Sequence, residues 1–181
     1  HYLSLSLKMN PNDADTHIAI GVLMMNLGRV KDAVDHFSEA LKISPGSEEA
    51  CSYQNNALIY ETKINERITI LEQEKAKAPD NTSNINKLAV MYSQVGKIEK
   101  AIKELENLVE KKPDNPEVYY NIACLYSRKG DVVRAEQWLK NAIDKGFKNW
   151  KLIEEDPDLN NIRETEYFKK IIKDKASGTG Y

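Results

Sequence analysis

Residues 82–115 read TSNINKLAVMYSQVGKIEKAIKELENLVEKKPDN and contain two amphipathic stretches separated by Gly96. Apolar residues that recur at i, i+3, i+4 and i+7 lie on one side of a helix. The recurring residues before the glycine are Leu88, Met91, Tyr92 and Val95, and those after it are Ile98, Ala101, Ile102, Leu105, Leu108 and Val109. Glycine permits the positive φ of a tight turn, and proline cannot continue a helix. We therefore predict two helices joined at Gly96 and ended before Pro113.

The same spacing recurs along the chain with a period of 34 residues. Three kinds of residue keep this period. They are the prolines Pro11, Pro45, Pro79 and Pro113, the turn glycines Gly28, Gly96 and Gly130, and the alanines Ala33, Ala101 and Ala135 in the second helix of each pair, helix B. In the second repeat, Thr62 stands in the glycine position and Arg67 in the alanine position. A fixed period in this range predicts a solenoid built from one repeated supersecondary unit.

At these positions the sequence resembles the tetratricopeptide repeat (TPR) family. Residues 14–47 carry the family pattern as Ile20-Gly21, Leu27-Gly28, Ala33, Phe37, Ala40 and Pro45. Residues 116–149 carry it as Ile122-Ala123, Tyr126, Gly130, Ala135, Leu139 and Ala142, with Phe147 in place of the proline. The resemblance implies an all-α fold, a right-handed TPR superhelix (an alpha-alpha solenoid) of antiparallel helix pairs with C-terminal capping helices. It also implies that the first helix of each pair, helix A, lines the concave face.

The expected domain organisation follows the period. We predict full repeats at 14–47, 82–115 and 116–149, a degenerate repeat at 48–81, capping helices at 150–174 and a disordered tail at 175–181. The degenerate repeat should still form two helices around Thr62, with helix A in one of two registers that differ by two residues. Residues 1–13 read as helix B of a truncated repeat, so we expect a longer natural protein, and this unpaired helix could mediate self-association.

Composition narrows the class of function. The formal net charge is −2, and nucleic-acid-binding domains usually carry a basic stripe. No run reaches about 18 apolar residues, so we expect no membrane insertion in this segment. The two cysteines lack metal-site spacing and should be reduced, half-buried apolar groups. We expect a cytoplasmic protein without a cofactor. A buried Arg67 should find a carboxylate or reach water.

Catalytic motifs are absent from the sequence. The three histidines, His1, His17 and His36, are spread over separate elements, and no HExxH, P-loop, GxGxxG or GxSxG pattern occurs. The acidic residues fall mostly beside Lys and Arg on the outer faces of the expected helices. We therefore predict no enzymatic activity within these residues, although a catalytic part could precede them in a longer protein.

The family resemblance implies a concave binding surface formed by helix-A residues. In this sequence the corresponding residues include Ile18, Ala19, Val22, Met25, Asn26, Ser52, Tyr53, Asn56, Ile59, Tyr60, Asn86, Lys87, Val90, Gln94, Tyr120, Asn121, Cys124 and Arg128. The carboxylate clamp with which some TPR domains hold chaperone tails is not assembled, since its first two positions hold Ile18 and Val22, or Ser52 and Asn56 one repeat later. An apolar floor with aromatic and amide groups suits a partner helix or a peptide with hydrophobic anchors.

We predict a non-catalytic protein-protein interaction module, or scaffold, that binds a peptide or helix of another protein in this groove. Changing Tyr120 and Asn121 to alanine should weaken binding without unfolding the array. Met and Val on helix A could instead simply pack against the neighbouring helix. A rival interpretation is the substrate-presenting TPR region of a larger enzyme such as a protein glycosyltransferase. Only Asn121 of its expected asparagine ladder is present, because the other rungs hold Ala19, Tyr53 and Lys87.

Overall fold

A computed structural model describes residues 10–79 and 81–177, and all the regular structure in this part of the chain is helical. The helices are α1 (Ala14–Asn26), α2 (Val30–Ile43), α3 (Glu48–Lys77), α4 (Thr82–Gln94), α5 (Ile98–Lys111), α6 (Pro116–Arg128), α7 (Val132–Asp144), α8 (Trp150–Glu155), a 3₁₀ helix (Pro157–Leu159) and α9 (Glu166–Ser177). The predicted all-α fold class is confirmed.

The periodic glycines end their helices as predicted. At Gly28, φ is 69°, its N–H donates to Met25 O at 3.0 Å, and the Arg29 N–H donates to Met24 O at 2.8 Å. This pair of bonds is a Schellman motif, which satisfies carbonyls that a helix end would otherwise leave unpaired. The same motif with positive φ ends α4 at Gly96 and α6 at Gly130. At Gly28 and Gly130 the chain therefore turns back, and the two helices joined there pack on each other.

The second repeat differs from the prediction, because α3 is one continuous helix of 30 residues instead of two helices around Thr62. The Thr62 side chain donates back to Leu58 O at 2.9 Å, and the segment from Glu48 to Lys77 contains neither glycine nor proline. Residues seven apart stay on one side of a helix. Four of them form a buried stripe that continues through the expected break: Ala50, Ala57, Ile64 and Leu71. The predicted turn at residue 62 is thus wrong.

The chain divides into two compact units. Among the described residues, the first unit holds 10–79 and 90–97, and the second holds 81–89 and 98–177. In the first unit α1 packs on α2, and α3 packs along α2 and also contacts α1. A Cβ placed on Gly21 would overlap the buried Phe37 ring, so this glycine allows the close approach of α1 and α2. The core cluster comprises Ile18, Ala33, Val34, Phe37, Ala40, Ala50 and Ala57.

In the second unit α6 packs on α7 and α5 packs on α6, while the C-terminal segment covers α6. The 3₁₀ helix contacts α6, and its Leu159 is fully buried together with Ile153 and Ile162. The Arg163 guanidinium donates to Asp156 O at 2.9 Å, which ties residue 163 to the start of the 3₁₀ helix. The expected C-terminal capping structure is therefore present. Its last helix runs from Glu166 to Ser177 and continues past the predicted end at residue 174, so the expected disordered tail is wrong for residues 175–177.

The remaining local expectations have mixed outcomes. Arg67 is 45% exposed and lies 3.9 Å from the Glu74 carboxylate, as predicted. Both cysteines are free thiols, but Cys51 is exposed and Cys124 is buried, so the expectation that both are half-buried is wrong. The predicted leading helix and the end of the tail fall on residues 1–9 and 178–181, outside the described residues.

Candidate functional site

Four residues of the predicted concave surface, Ile18, Ala19, Val22 and Tyr53, line one cleft in the first unit. The first three come from α1, and Tyr53 comes from α3. The cleft has a volume of about 460 Å³, and its other lining residues are Asp15 and Glu49. This volume lies within the range of about 300–1,000 Å³ that is typical of ligand pockets. The packing of α3 against α1 thus creates an open cleft with an apolar floor.

The core fixes the position of the Tyr53 ring. It stacks on Phe37 with ring centroids 5.5 Å apart and an interplanar angle of 13°. Phe37 is fully buried, whereas Tyr53 remains 38% exposed. No hydrogen bond to the Tyr53 hydroxyl is present within the described residues. Tyr53 therefore offers a rigid apolar wall and an available hydroxyl, a combination that is common at protein interfaces.

The other candidates in the first unit vary in exposure. Val22 and Met25 are half-buried and pack against the core cluster, so the expectation that Met and Val contact neighbouring helices holds for these two. Asn56 is exposed on α3, and Tyr60 is 47% exposed. Val90 on α4 is 54% exposed. Asn56, Tyr60 and Val90 thus present side chains to solvent, whereas Met25 contributes mainly to packing.

Two carboxylates stand at the same cleft. Asp15 lies in the first turn of α1, and Glu49 lies in the first turn of α3. Both are exposed, and neither forms an ion pair or a hydrogen bond within the described residues. The cleft lining contains no Lys or Arg. The walls of this apolar cleft therefore carry negative charge alone.

In the second unit, the protein's own C-terminal segment occupies the space next to Tyr120 and Cys124. The Tyr120 hydroxyl donates to Asp156 Oδ2 at 2.6 Å, and the Cys124 Sγ lies 3.7 Å from the same oxygen. Tyr120 stacks on Phe147 at 4.3 Å and is 4% exposed. Burial raises the pKa of the Tyr120 hydroxyl above its usual value, and nearby Cys124 and Asp156 raise it further. Burial also raises the pKa of the Cys124 thiol. Both groups are therefore neutral at physiological pH.

Of the other three candidate residues in the second unit, one contacts the C-terminal segment and two are exposed. The Arg128 side chain is 8% exposed and lies 3.8 Å from the Asp158 carboxylate. Asn121 and Lys87 are exposed. While the C-terminal segment is in place, only Asn121 and Lys87 of the predicted residues in this unit present open side chains.

A histidine pair joins α1 and α2 away from the cleft lining. The Nδ1 atoms of His17 and His36 are 3.1 Å apart, and His17 Nε2 lies 3.2 Å from Pro11 O. Burial lowers the pKa of His36, and the nearby His17 lowers it further. No group of three or more potential metal ligands occurs among the described residues. Across the same residues, no helix combines the length and apolar character needed to cross a membrane.

Sequence reasoning missed the two carboxylates of the cleft. Asp15 and Glu49 are 34 residues apart and therefore occupy the same position of successive repeats, which Glu117 occupies in α6. The recurrence was visible in the sequence, but acidic residues in the first turn of a helix are also favoured by the helix dipole alone. Their place beside an apolar cleft depends on how α1 and α3 pack.

Helix pairs repeated at a fixed spacing, with a cleft between successive first helices, define a helical-repeat protein. A family model described as TPR repeat matches residues 91–130, and two described as tetratricopeptide repeat match residues 14–47 and 118–149. Together they span just over half of the chain. The chain belongs to the tetratricopeptide repeat family.

Solved structures with a similar fold are TPR proteins. The structure of PilF from Pseudomonas aeruginosa matches with a TM-score of 0.50 and 17% identity, over 97% of this chain and 79% of that chain. A crystal structure of MamA has a TM-score of 0.46 and 26% identity, over 82% and 87% of the two chains. YrrB, described as a TPR protein with an unusual peptide-binding site, has a TM-score of 0.47 and 15% identity, over 99% and 89%. No curated protein sequence matches the chain.

Proposed function

We propose that this chain is a non-catalytic interaction module that binds a peptide or helix of a partner protein along α1 and α3. The observation that carries the proposal is the cleft lined by Ile18, Val22 and Tyr53, because these residues were expected to bind a partner and lie together at one open site. The TPR fold supports a protein partner in general. We expect the contact at this cleft.

Exposed apolar side chains extend the proposed contact surface along α3. Ile59 is 56% exposed and Tyr60 is 47% exposed. Removing apolar surface from water stabilises a complex by roughly 25 cal/mol per Å². Tyrosines at the centre of an interface often contribute about 2 kcal/mol or more when truncation is measured. We therefore expect Tyr53 and Tyr60 to be the main anchors of the partner.

The second unit has a smaller part in this proposal. Lys87 and Asn121 remain candidate contacts because their side chains are exposed. Tyr120, Cys124 and Arg128 would meet a partner only after the segment around Asp156 had moved away, since this segment now contacts them. The expected effect of the Tyr120 substitution is therefore on stability as well as on binding.

A selection experiment tests the proposal with the complete chain. Peptides are selected from a phage-displayed random library, and their affinities are then measured for two variants. Ala19→Trp fills the cleft from an exposed position on α1, and Ala76→Trp places the same side chain on an exposed position in the last turn of α3. We expect Ala19→Trp to weaken binding at least about ten-fold, as for loss of a central anchor. Equal affinities of both variants, or a library that yields no binder, would contradict the proposal.

Two other interpretations stay predictions. The substrate-presenting region of a larger enzyme requires a catalytic domain in the same gene, so the complete gene sequence decides it. Self-association through the leading helix requires a concentration-dependent mass, which sedimentation at two concentrations measures. A cytoplasmic location likewise stays a prediction, and imaging of the tagged full-length protein would test it.

A further inference from the structure

The apolar cleft between α1 and α3 has an uneven charge distribution. Asp15 and Glu49 are part of its lining, and the remaining lining residues are apolar except for the Tyr53 hydroxyl. Neither carboxylate is neutralised by a described residue. A bound segment would therefore meet an apolar floor and two negative charges at once.

We propose that this cleft selects a partner segment in which a Leu- or Phe-sized side chain is flanked by Lys or Arg. The inference rests on the proposed function, because it specifies the ligand of the same cleft. The apolar side chain packs on Ile18 and Val22 against the Tyr53 ring. The flanking cation pairs with Asp15 or Glu49.

Charge complementarity favours this ligand over the alternatives. Opposite charges across an interface strengthen and accelerate association, whereas like charges disfavour the wrong partner. An acidic segment would bring its carboxylates next to Asp15 and Glu49 without a Lys or Arg in the cleft lining to compensate. A purely apolar segment would leave both carboxylates unpaired and partly desolvated, which is unfavourable. The preferred charge is thus opposite to that of a carboxylate-binding clamp.

The two carboxylates also stabilise their own helices, and the test has to separate this role from binding. Acidic residues in the first turn interact favourably with the helix dipole wherever they occur. Glu117 lies in the first turn of α6 at the same repeat position and does not line the cleft. It therefore reproduces the helix effect alone and is the natural control.

The first measurement compares the peptides that the wild-type chain selects with the input library. We expect an excess of Lys and Arg within a few residues of a large apolar side chain. Repeating the selection with Asp15→Asn/Glu49→Gln should remove the cationic excess but keep the apolar one. Acidic or charge-neutral binders to the wild type, or an unchanged cationic excess with the double variant, would overturn the proposal.

The second measurement uses the selected peptides and a matched pair of variants. Asp15→Asn/Glu49→Gln and Glu117→Gln/Glu166→Gln both shift the net charge from −2 to 0, and Glu166, like Glu117, is an exposed residue in the first turn of its helix, α9. An exposed ion pair strengthens an interaction by about 1.5- to 5-fold, so we expect the first variant to bind more weakly by this factor for each carboxylate that the peptide pairs with, and the second to bind normally. The difference should shrink at high salt.

The outcomes separate this inference from the proposed function. Peptides that bind Ala19→Trp weakly but bind both charge variants equally well would leave the interaction site standing and refute the charge preference. Peptides that bind Ala19→Trp as tightly as the wild type would refute both the proposed interaction site and the charge preference. Circular dichroism of every variant confirms that the helices remain folded.

Discussion

The contact between Tyr120 and the C-terminal segment gives a sharp test of the fold. The Tyr120→Phe substitution removes one hydroxyl and keeps the ring that stacks on Phe147 at 4.3 Å. The lost bond is 2.6 Å long and ends on the Asp156 carboxylate. A hydrogen bond to a charged group contributes about 1.5–3 kcal/mol. Because Asp156 still accepts from the Asp158 N–H at 2.9 Å, we expect the lower part of this range or slightly less, about 1–2 kcal/mol.

Tryptophan fluorescence is the suitable assay, since the only two tryptophans, Trp138 and Trp150, both lie in the second unit. For a chain of this size, 1 kcal/mol shifts the melting temperature by about 2–4 °C, so the expected loss is about 2–8 °C. The matched control is Tyr53→Phe, which removes a hydroxyl without a described partner and should change stability by less than about 0.5 kcal/mol; because Tyr53 lies in the first unit, its melting is followed by circular dichroism.

A double-mutant cycle shows whether the lost stability belongs to this contact. In an Asp156→Ala background the carboxylate is absent, so Tyr120→Phe should cost close to nothing. A full loss in that background would place the effect elsewhere. No loss in the wild-type background would refute the reasoning outright.

Three further predictions concern the first unit. Gly21→Ala should destabilise it by about 1–3 kcal/mol in chemical denaturation, because the added methyl overlaps the buried Phe37 ring. Gly46→Ala is the control and should leave stability unchanged, because a methyl added there has no atom within 4 Å. Because the pKa of His36 is lowered on folding, stability should be highest above about pH 6.5 and should fall as the pH drops through the lowered value. Urea midpoints measured against pH test this, and an equal fall in the wild type and in His36→Gln would contradict it. The Thr62→Gly variant should be about 0.5–1 kcal/mol less stable than Thr62→Ala, because residue 62 lies inside a helix and glycine is the poorer helix former. A Thr62→Gly variant that is more stable than Thr62→Ala would indicate a turn with positive φ at this position.

The glycine turns could be predicted from the sequence because their cause is local. A helix that ends with positive φ needs glycine at one position, and Gly28, Gly96 and Gly130 show this directly. The continuous helix α3 could not be predicted by the same reasoning. Ile64, Ile68 and Leu71 keep their phase both in a separate helix and in a continuation of the preceding one. The missing glycine at residue 62 was the better signal.

The candidate site was predictable only where short-range patterns determine it. Ile18, Val22 and Tyr53 were all predicted to lie on the concave surface and line one cleft, although the sequence left the register of Tyr53 open. Tyr120 occupies an equivalent groove position, but its environment is set by Asp156, which follows 36 residues later. That contact depends on the path of the C-terminal segment over α6, and no periodicity in the sequence encodes this path. Burial of such residues has to be observed in three dimensions.

The continuous helix α3 also changes how the fold relates to the spacing of the repeats in the sequence. A chain of 30 helical residues rises about 45 Å without reversing direction. The repeat that lacks its turn glycine thus forms one continuous helix, while the prolines on either side of it keep the 34-residue spacing. The spacing of the prolines therefore shows where the repeats fall in the sequence, whereas the turn glycines show which of these repeats form two helices.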